Sequence, residues 1–135
     1  LVSHTQSNTI YKQNGRYILS FRGGASNTID IFDISAATWI SAIPYGNQME
    51  TFTTGSSSFD FGGYIYIQKE ATGRIFKFNI KEWVLQSFAA TPLAQGTTVV
   101  GQKMFMLPFT DGATNINFLY TQRHTGNELY RIMVI

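Results

Sequence analysis

A run of apolar and β-branched residues, a turn, a second such run, an aromatic residue and a tryptophan follow one another in this chain, and the order then repeats. Internal repetition at a spacing of a few tens of residues restricts a chain to folds built of similar stacked units. The stretch that shows it best is Gly15 to Trp39, GRYILSFRGGASNTIDIFDISAATW. Tyr17–Phe21 and Ile29–Ile34 are rich in aromatic and β-branched side chains and are bounded by Asn14-Gly15, Gly23-Gly24 and Ser35-Ala36-Ala37. Short runs of that composition between turn formers read as strands. Ile29 and Ile31 alternate with Asp30, so one face is expected to be more buried than the other. Asn14-Gly15 favours a tight hairpin because both residues tolerate positive φ.

Extended along the chain, the pattern gives three units, at about 7–43, 56–88 and 96–135. In the first, strands are expected at Asn8–Tyr11, Arg16–Arg22, Thr28–Ile34 and Thr38–Ile43, with Pro44–Gly55 as a connector. In the second they are expected at Ser58–Phe61, Tyr64–Gln68, Arg74–Ile80 and Trp83–Phe88, with Gly62-Gly63 turning the first into the second. Phe32-Asp33-Ile34 matches Phe78-Asn79-Ile80, displaced by 46 residues (32 to 78), and Trp39 matches Trp83, displaced by 44 (39 to 83). That pairing implies a gap two residues shorter in the second unit. The third unit is read as Gly96–Val100, Lys103–Leu107, Ile116–Gln122 and Glu128–Ile135, without the tryptophan. A second alignment stays open: Leu119–Arg123 with Leu129–Ile132 also resembles Ile65–Lys69 with Ile75–Phe78, which makes the last hairpin the middle pair of a unit. Under either alignment the fold class is all-β, a series of antiparallel hairpins.

Composition excludes several classes. The 135 residues are one domain's worth of chain or part of a larger domain, long enough to bury a core. Hydrophobic residues make up 44% and charged residues 13%, which is not the balance of a disordered segment. A net charge of +2 without any run of Lys and Arg argues against sequence-independent nucleic-acid binding. There is no cysteine, so the fold needs no disulfide. The apolar runs fall far below the ~20 residues of a membrane-spanning helix. No signal peptide or Asn-x-Ser/Thr sequon is visible. A chain starting at Leu1 is expected to be processed, excised or part of something longer.

A hairpin with Gly23-Gly24, then Phe32, six residues and Trp39 resembles a kelch repeat. The second unit keeps Phe78 and Trp83 but has Lys69-Glu70 where the double glycine belongs, and the third keeps only an opening hairpin, Thr97 to Met106. The resemblance implies one β-propeller blade per unit, each a four-stranded twisted sheet of roughly 40–50 residues. The aromatic and the tryptophan would then fill the space between neighbouring blades, and Gly-Gly would serve a tight inner turn. Since propellers close with about four to eight blades, three imply a larger propeller or an oligomeric ring, for instance two threes giving six. The charge-poor, Thr- and Asn-rich composition and the closing Asn127–Ile132 stretch also resemble propeller-type proteins of bacteriophage particles.

Candidate sites are few. His4 and His124 have no second His or Cys at metal spacing, and His124 reads as a turn residue. Asp30 and Asp33 stand three apart on one strand, so they point to opposite faces and form no carboxylate pair. Asp33 is expected to satisfy backbone amides of the Ser35–Thr38 turn. Asp60 reads as another turn group, and Asp111-Gly112 lacks the following ligands of a calcium loop. Arg22, Lys69 and Arg123 recur at comparable strand ends. They could form a basic ring for an acidic glycan or partner, but ordinary edge charge that discourages aggregation is the favoured reading. Gly23-Gly24 has no following helix to bind phosphate, and Ser56-Ser57-Ser58 lacks a nucleophile-elbow context. No catalytic, cofactor-binding or metal-ligating set is expected, and no cofactor. The expected function is a non-catalytic structural or interaction module of a large assembly, a phage capsid or tail protein, located in a virion or extracellularly. Its partners would be other protein subunits in a homo-oligomer. The alternative is a carbohydrate-binding propeller for attachment, using exposed Tyr45 or Tyr64.

Overall fold

A computed structural model describes residues 9–13, 15–22, 27–44, 50–52, 56–69, 72–92, 104–122 and 128–134. They form eleven strands in three separate antiparallel sheets, with no helix among the described residues. The first sheet holds β1 (Thr9–Gln13), β2 (Tyr17–Phe21), β3 (Thr28–Asp33) and β4 (Thr38–Pro44) in that order. The second holds β5 (Ser57–Phe61), β6 (Tyr64–Gln68), β7 (Arg74–Asn79) and β8 (Val84–Ala90). The third holds β9 (Met104–Asp111), β10 (Thr114–Gln122) and β11 (Leu129–Val134). Each strand pairs with its sequence neighbour, so every sheet is a plain meander. The all-β reading of the sequence holds.

The first two sheets repeat one another in register. Tyr17 pairs with Asp33 and Tyr64 with Asn79; Asp33 pairs with Thr38 and Asn79 with Val84. The turns that follow β3 and β7 are built alike. The Asp33 carboxylate accepts from the amides of Ser35 and Ala36 at 2.9 and 3.2 Å, and Asn79 Oδ1 accepts from those of Lys81 and Glu82 at 2.9 and 3.3 Å. Short oxygen-bearing side chains bond their own backbone a few residues on and so close the turn. Both turns end on a left-handed residue, Ala37 at φ 50° and Trp83 at φ 58°. The structural equivalent of Trp83 is therefore Ala37, and that of Trp39 is Leu85. The match of Trp39 with Trp83, and the shorter gap it implied, are corrected: the two turns have the same length. An extra residue also bulges the last strand at the same place in both sheets, in β4 opposite Ile29–Ile31 and in β8 opposite Ile75–Phe76.

The third sheet aligns with the second in the manner of the alternative reading. A two-residue turn joins β5 to β6, with Phe61 paired to Tyr64 and Gly62 at φ 61°; another joins β9 to β10, with Asp111 paired to Thr114 and Gly112 at φ 58°. Gln68 pairs with Ile75 and Gln122 with Leu129, across connections of equal length. β9, β10 and β11 thus occupy the places of β5, β6 and β7, and β9 runs beside β5 as β5 runs beside β1. The expected strand at Gly96–Val100 and its Gly101-Gln102 turn lie outside the described residues, as does Gly23-Gly24.

The sheets stack face to face, with the second in the middle. Leu19, Phe21, Ile29 and Ile31 of the first sheet meet Ile65, Ile67, Phe76, Phe78 and Leu85 of the second. Phe52, from the connector, is wedged among them, 6.3 Å from Phe21 and 5.8 Å from Phe76 between ring centroids, both edge to face. On the opposite side of the second sheet, Tyr66 and Ile75 meet Met104 and Leu119, flanked by Phe59, Phe88, Met106 and Ile132. Close to half a sheet's side chains lie on each face, so a sheet with two apolar faces is stable only when both are covered.

Candidate interaction surface

The residues singled out for chemistry are occupied by structure. Asp30 receives two hydrogen bonds from the Arg22 guanidinium, at 2.7 and 2.8 Å, a planar fork-to-fork pair. Asp33 receives Arg16 at 3.0 Å in addition to its two turn amides. The Arg16 bond leads the effects that hold the Asp33 carboxyl below its ordinary range, against a burial effect that raises it. The two aspartates therefore serve separate ion pairs, as their spacing required. Asp60 is exposed on β5, beside the turn to β6, and Asp111 is exposed at the end of β9.

Arg22 and Lys69 do take equivalent places, since the amide of each bonds back to its hairpin partner, Thr28 or Arg74, at 3.0 Å. Yet Lys69 bonds Glu50 at 2.8 Å, and Arg74 reaches the other oxygen of the same carboxylate at 2.5 Å. Burial alone raises the Glu50 carboxyl, but Lys69 and Arg74 together hold it below its ordinary value. Each of these two cations is thus engaged by an acid, and Arg123, the third member of the expected basic set, lies outside the described residues. So do His4, His124 and Tyr45. Ser57 is buried, and Ser56 and Ser58 are half-buried. The connector residues Glu50 and Phe52 were invisible as contributors, because a short polar-and-apolar stretch between Pro44 and Gly55 carries no periodicity.

A buried polar contact joins the second and third sheets. The Thr121 hydroxyl donates to Gln68 Oε1, and both residues are fully buried. Beside them Ser57 Oγ and Gln68 Nε2 are buried without a partner among the described residues. In the same interface burial, with the neighbouring Tyr64 adding to it, raises the Tyr66 phenol above its ordinary value.

The two outer faces of the stack are different in kind. On the third sheet, Phe105, Leu107 and Phe109 of β9 and Leu129 and Met133 of β11 are exposed and point away from the second sheet. Between them Phe118 and Tyr120 of β10 are half-buried. Phe105 stacks on Tyr120 with 5.3 Å between centroids and 5° between planes, and Arg131 lies 4.8 Å over the Phe118 ring. Contiguous apolar surface of this kind marks an interaction site on a folded protein. The first sheet turns Ile18, Phe32, Ile34 and Trp39 outward, with Trp39 54% exposed and 5.2 Å from Phe32. The expectation that both tryptophans fill the space between units fails for Trp39. Trp83 is half-buried and packs edge to face on Phe78, at 5.9 Å. No protein-family model matches the chain, and no curated protein sequence is significantly similar to it.

Proposed function

We propose that this chain is a non-catalytic structural and interaction module of a large assembly, made of propeller-type blades that act through surface contacts with other protein subunits. The observation that carries the reading is the bared aromatic face of the third sheet, from Phe105 and Phe109 across Tyr120 to Met133. A face of that composition costs solubility unless a partner covers it. The approach of β1 to β5 and of β5 to β9 supports a radial arrangement, in which sheets converge along their first strands. The kelch resemblance of Gly23-Gly24, Phe32 and Trp39 supports the same arrangement. The assembly we infer is a phage particle, a capsid or tail, on the resemblance of the charge-poor, Thr- and Asn-rich composition to such proteins.

A second reading, attachment through carbohydrate, is favoured by one feature: the exposed Trp39 ring beside Phe32 is the kind of flat apolar platform on which a sugar ring packs. Electron cryo-microscopy of the intact protein tests the first reading, which expects sheets arranged as leaves about an axis and in contact with neighbouring subunits. An isolated particle with a continuous two-sheet sandwich would defeat it. A glycan array separates the second, since binding abolished by Trp39→Ala would favour attachment.

A further inference from the structure

We infer that the bared face of the third sheet is covered by a second copy of this chain, which presents the outer face of its own first sheet. The inference rests on the interaction-module reading and specifies its partner. Its warrant is a register argument. Phe118, Tyr120, Gln122 and Arg131 occupy the positions that Tyr64, Tyr66, Gln68 and Lys77 occupy on the second sheet. The resemblance extends to geometry: the ring pair is 6.5 Å apart in one and 6.4 Å in the other, and the cation lies 4.8 Å over Phe118 and 5.2 Å over Tyr64. On the second sheet this face is covered, and what covers it is the third sheet.

The first sheet supplies the matching half. Ile18, Phe32, Ile34 and Trp39 take the positions of Ile65, Phe78, Ile80 and Leu85, which are buried to 2% or less against the preceding sheet. In the first sheet there is no preceding sheet among the described residues, and Ile34 and Trp39 stand 36% and 54% exposed. The centre of each joint can be compared. At the joint between the first two sheets, both residues of the central pair are apolar, Phe21 and Ile67. At the joint between the second and third they are both polar, Gln68 and Thr121, and bonded. At those positions the outer faces carry the exposed Gln122 and Ser20, which is 4% exposed and engaged within its own chain, and beside Ser20 the Arg22–Asp30 ion pair stands where the second sheet has Phe76. A buried polar group is tolerated opposite another that can bond it and is costly opposite a hydrocarbon. The outer faces are thus the two unjoined halves of a joint that the chain already makes twice.

Such a contact is head to tail, and two copies close it on a two-fold axis, the three described sheets of each giving six, within the roughly four to eight of a closed ring. Strands ~4.8 Å apart rising ~3.3 Å per residue give each face about 400 Å². Two joints then bury about 800 Å² per copy, the size of a standard stable interface.

Light scattering after size exclusion is expected to give twice the 15.2 kDa chain mass. The chain lacks cysteine, so a short bis-maleimide reads the contact directly. Mixed Gln122→Cys and Trp39→Cys chains should cross-link to each other, because their counterparts in the existing joint, Phe21 and Leu85, share one core, with Phe21 5.4 Å from Phe78, the strand partner of Leu85, and neither should cross-link to itself. Trp39→Asp and Leu129→Asp, both at exposed positions, should each give a monomer with an unchanged far-ultraviolet spectrum. The inference is overturned by a wild-type monomer at high micromolar concentration, by self-linking of the Gln122→Cys chain, or by a Trp39→Asp dimer. Those results leave the module reading standing, because another subunit could cover the same face; only the microscopy above removes it.

Discussion

Phe78 and Phe32 hold the same place in two repeated sheets, and truncating each should have very different consequences. Phe78 is fully buried, with its ring 5.4 Å from Phe21 of the neighbouring sheet and 5.9 Å from Trp83. Removing a buried phenyl ring forfeits about 1.5–3 kcal/mol of transfer free energy. The cavity left between two sheets that cannot fully collapse brings the total for Phe78→Ala to about 3–5 kcal/mol. A domain of this size is stable by about 5–15 kcal/mol, so the change removes a large share. With a urea dependence of about 2 kcal/mol per molar, the unfolding midpoint should fall by about 2 M. Phe32 is half-buried on the outer face, with Trp39 as its ring neighbour. Phe32→Ala should cost about 1 kcal/mol in dilute solution, where copies do not associate. Urea titrations followed by fluorescence suit the comparison, because Trp83 sits on the Phe78 ring. Equal costs for the two substitutions would refute the stacking of the first two sheets.

Thr121→Val should destabilise by about 1–3 kcal/mol by leaving Gln68 unpaired, whereas Thr121→Val with Gln68→Leu should be near neutral, a non-additivity that a double-mutant cycle measures. The folded-state carboxyls of Asp33 and Glu50 lie below their ordinary values, so their contribution is complete above about pH 4.5 and is lost as pH falls through the lowered values. Urea midpoints measured from pH 6 to pH 3 should decline (limits set by the ordinary carboxyl range of about 4), and less steeply in Asp33→Asn; a flat profile would contradict both ion pairs. Ala37 holds a left-handed φ of 50° at an exposed site, which costs an ordinary residue about 1 kcal/mol. Thermal unfolding of Ala37→Gly should show a gain of about 0.5 kcal/mol, after the greater chain entropy of glycine is deducted.

How much of this was readable from sequence depends on which residues speak locally. Tyr17–Phe21 and Tyr64–Gln68 announce strands by composition, Gly62-Gly63 announces a tight hairpin, and Asp33 announces its own turn, whereas Asp111-Gly112 reads only as a loop between shorter strands and closes a tight hairpin in the structure. These are short-range effects of backbone preference and side-chain reach. Trp39 and Trp83 are chemically alike but not equivalent, since spacing and not side-chain identity sets the register. The Asx residues Asp33 and Asn79, displaced by 46 like Phe32 and Phe78, already fixed a turn of constant length and put Leu85 at the place of Trp39. The alignment of the third sheet turned on which strand lies beside β5, a long-range fact without a local signal. The contributions of Glu50 and Phe52 are likewise tertiary, since only the folded chain brings the connector between two sheets.

The bulge shared by β4 and β8 bears on how such a chain can grow. A strand with an irregular margin offers a poor template for another strand, so lateral zippering into fibrils is discouraged along those borders. Addition is steered onto the broad sides instead, where the first and third sheets already meet the second. Growth along a hydrogen-bonded margin has no natural end. β11 keeps an unbroken register with β10. Its border is where oligomers of undefined length would begin if the mate for its sheet were withheld.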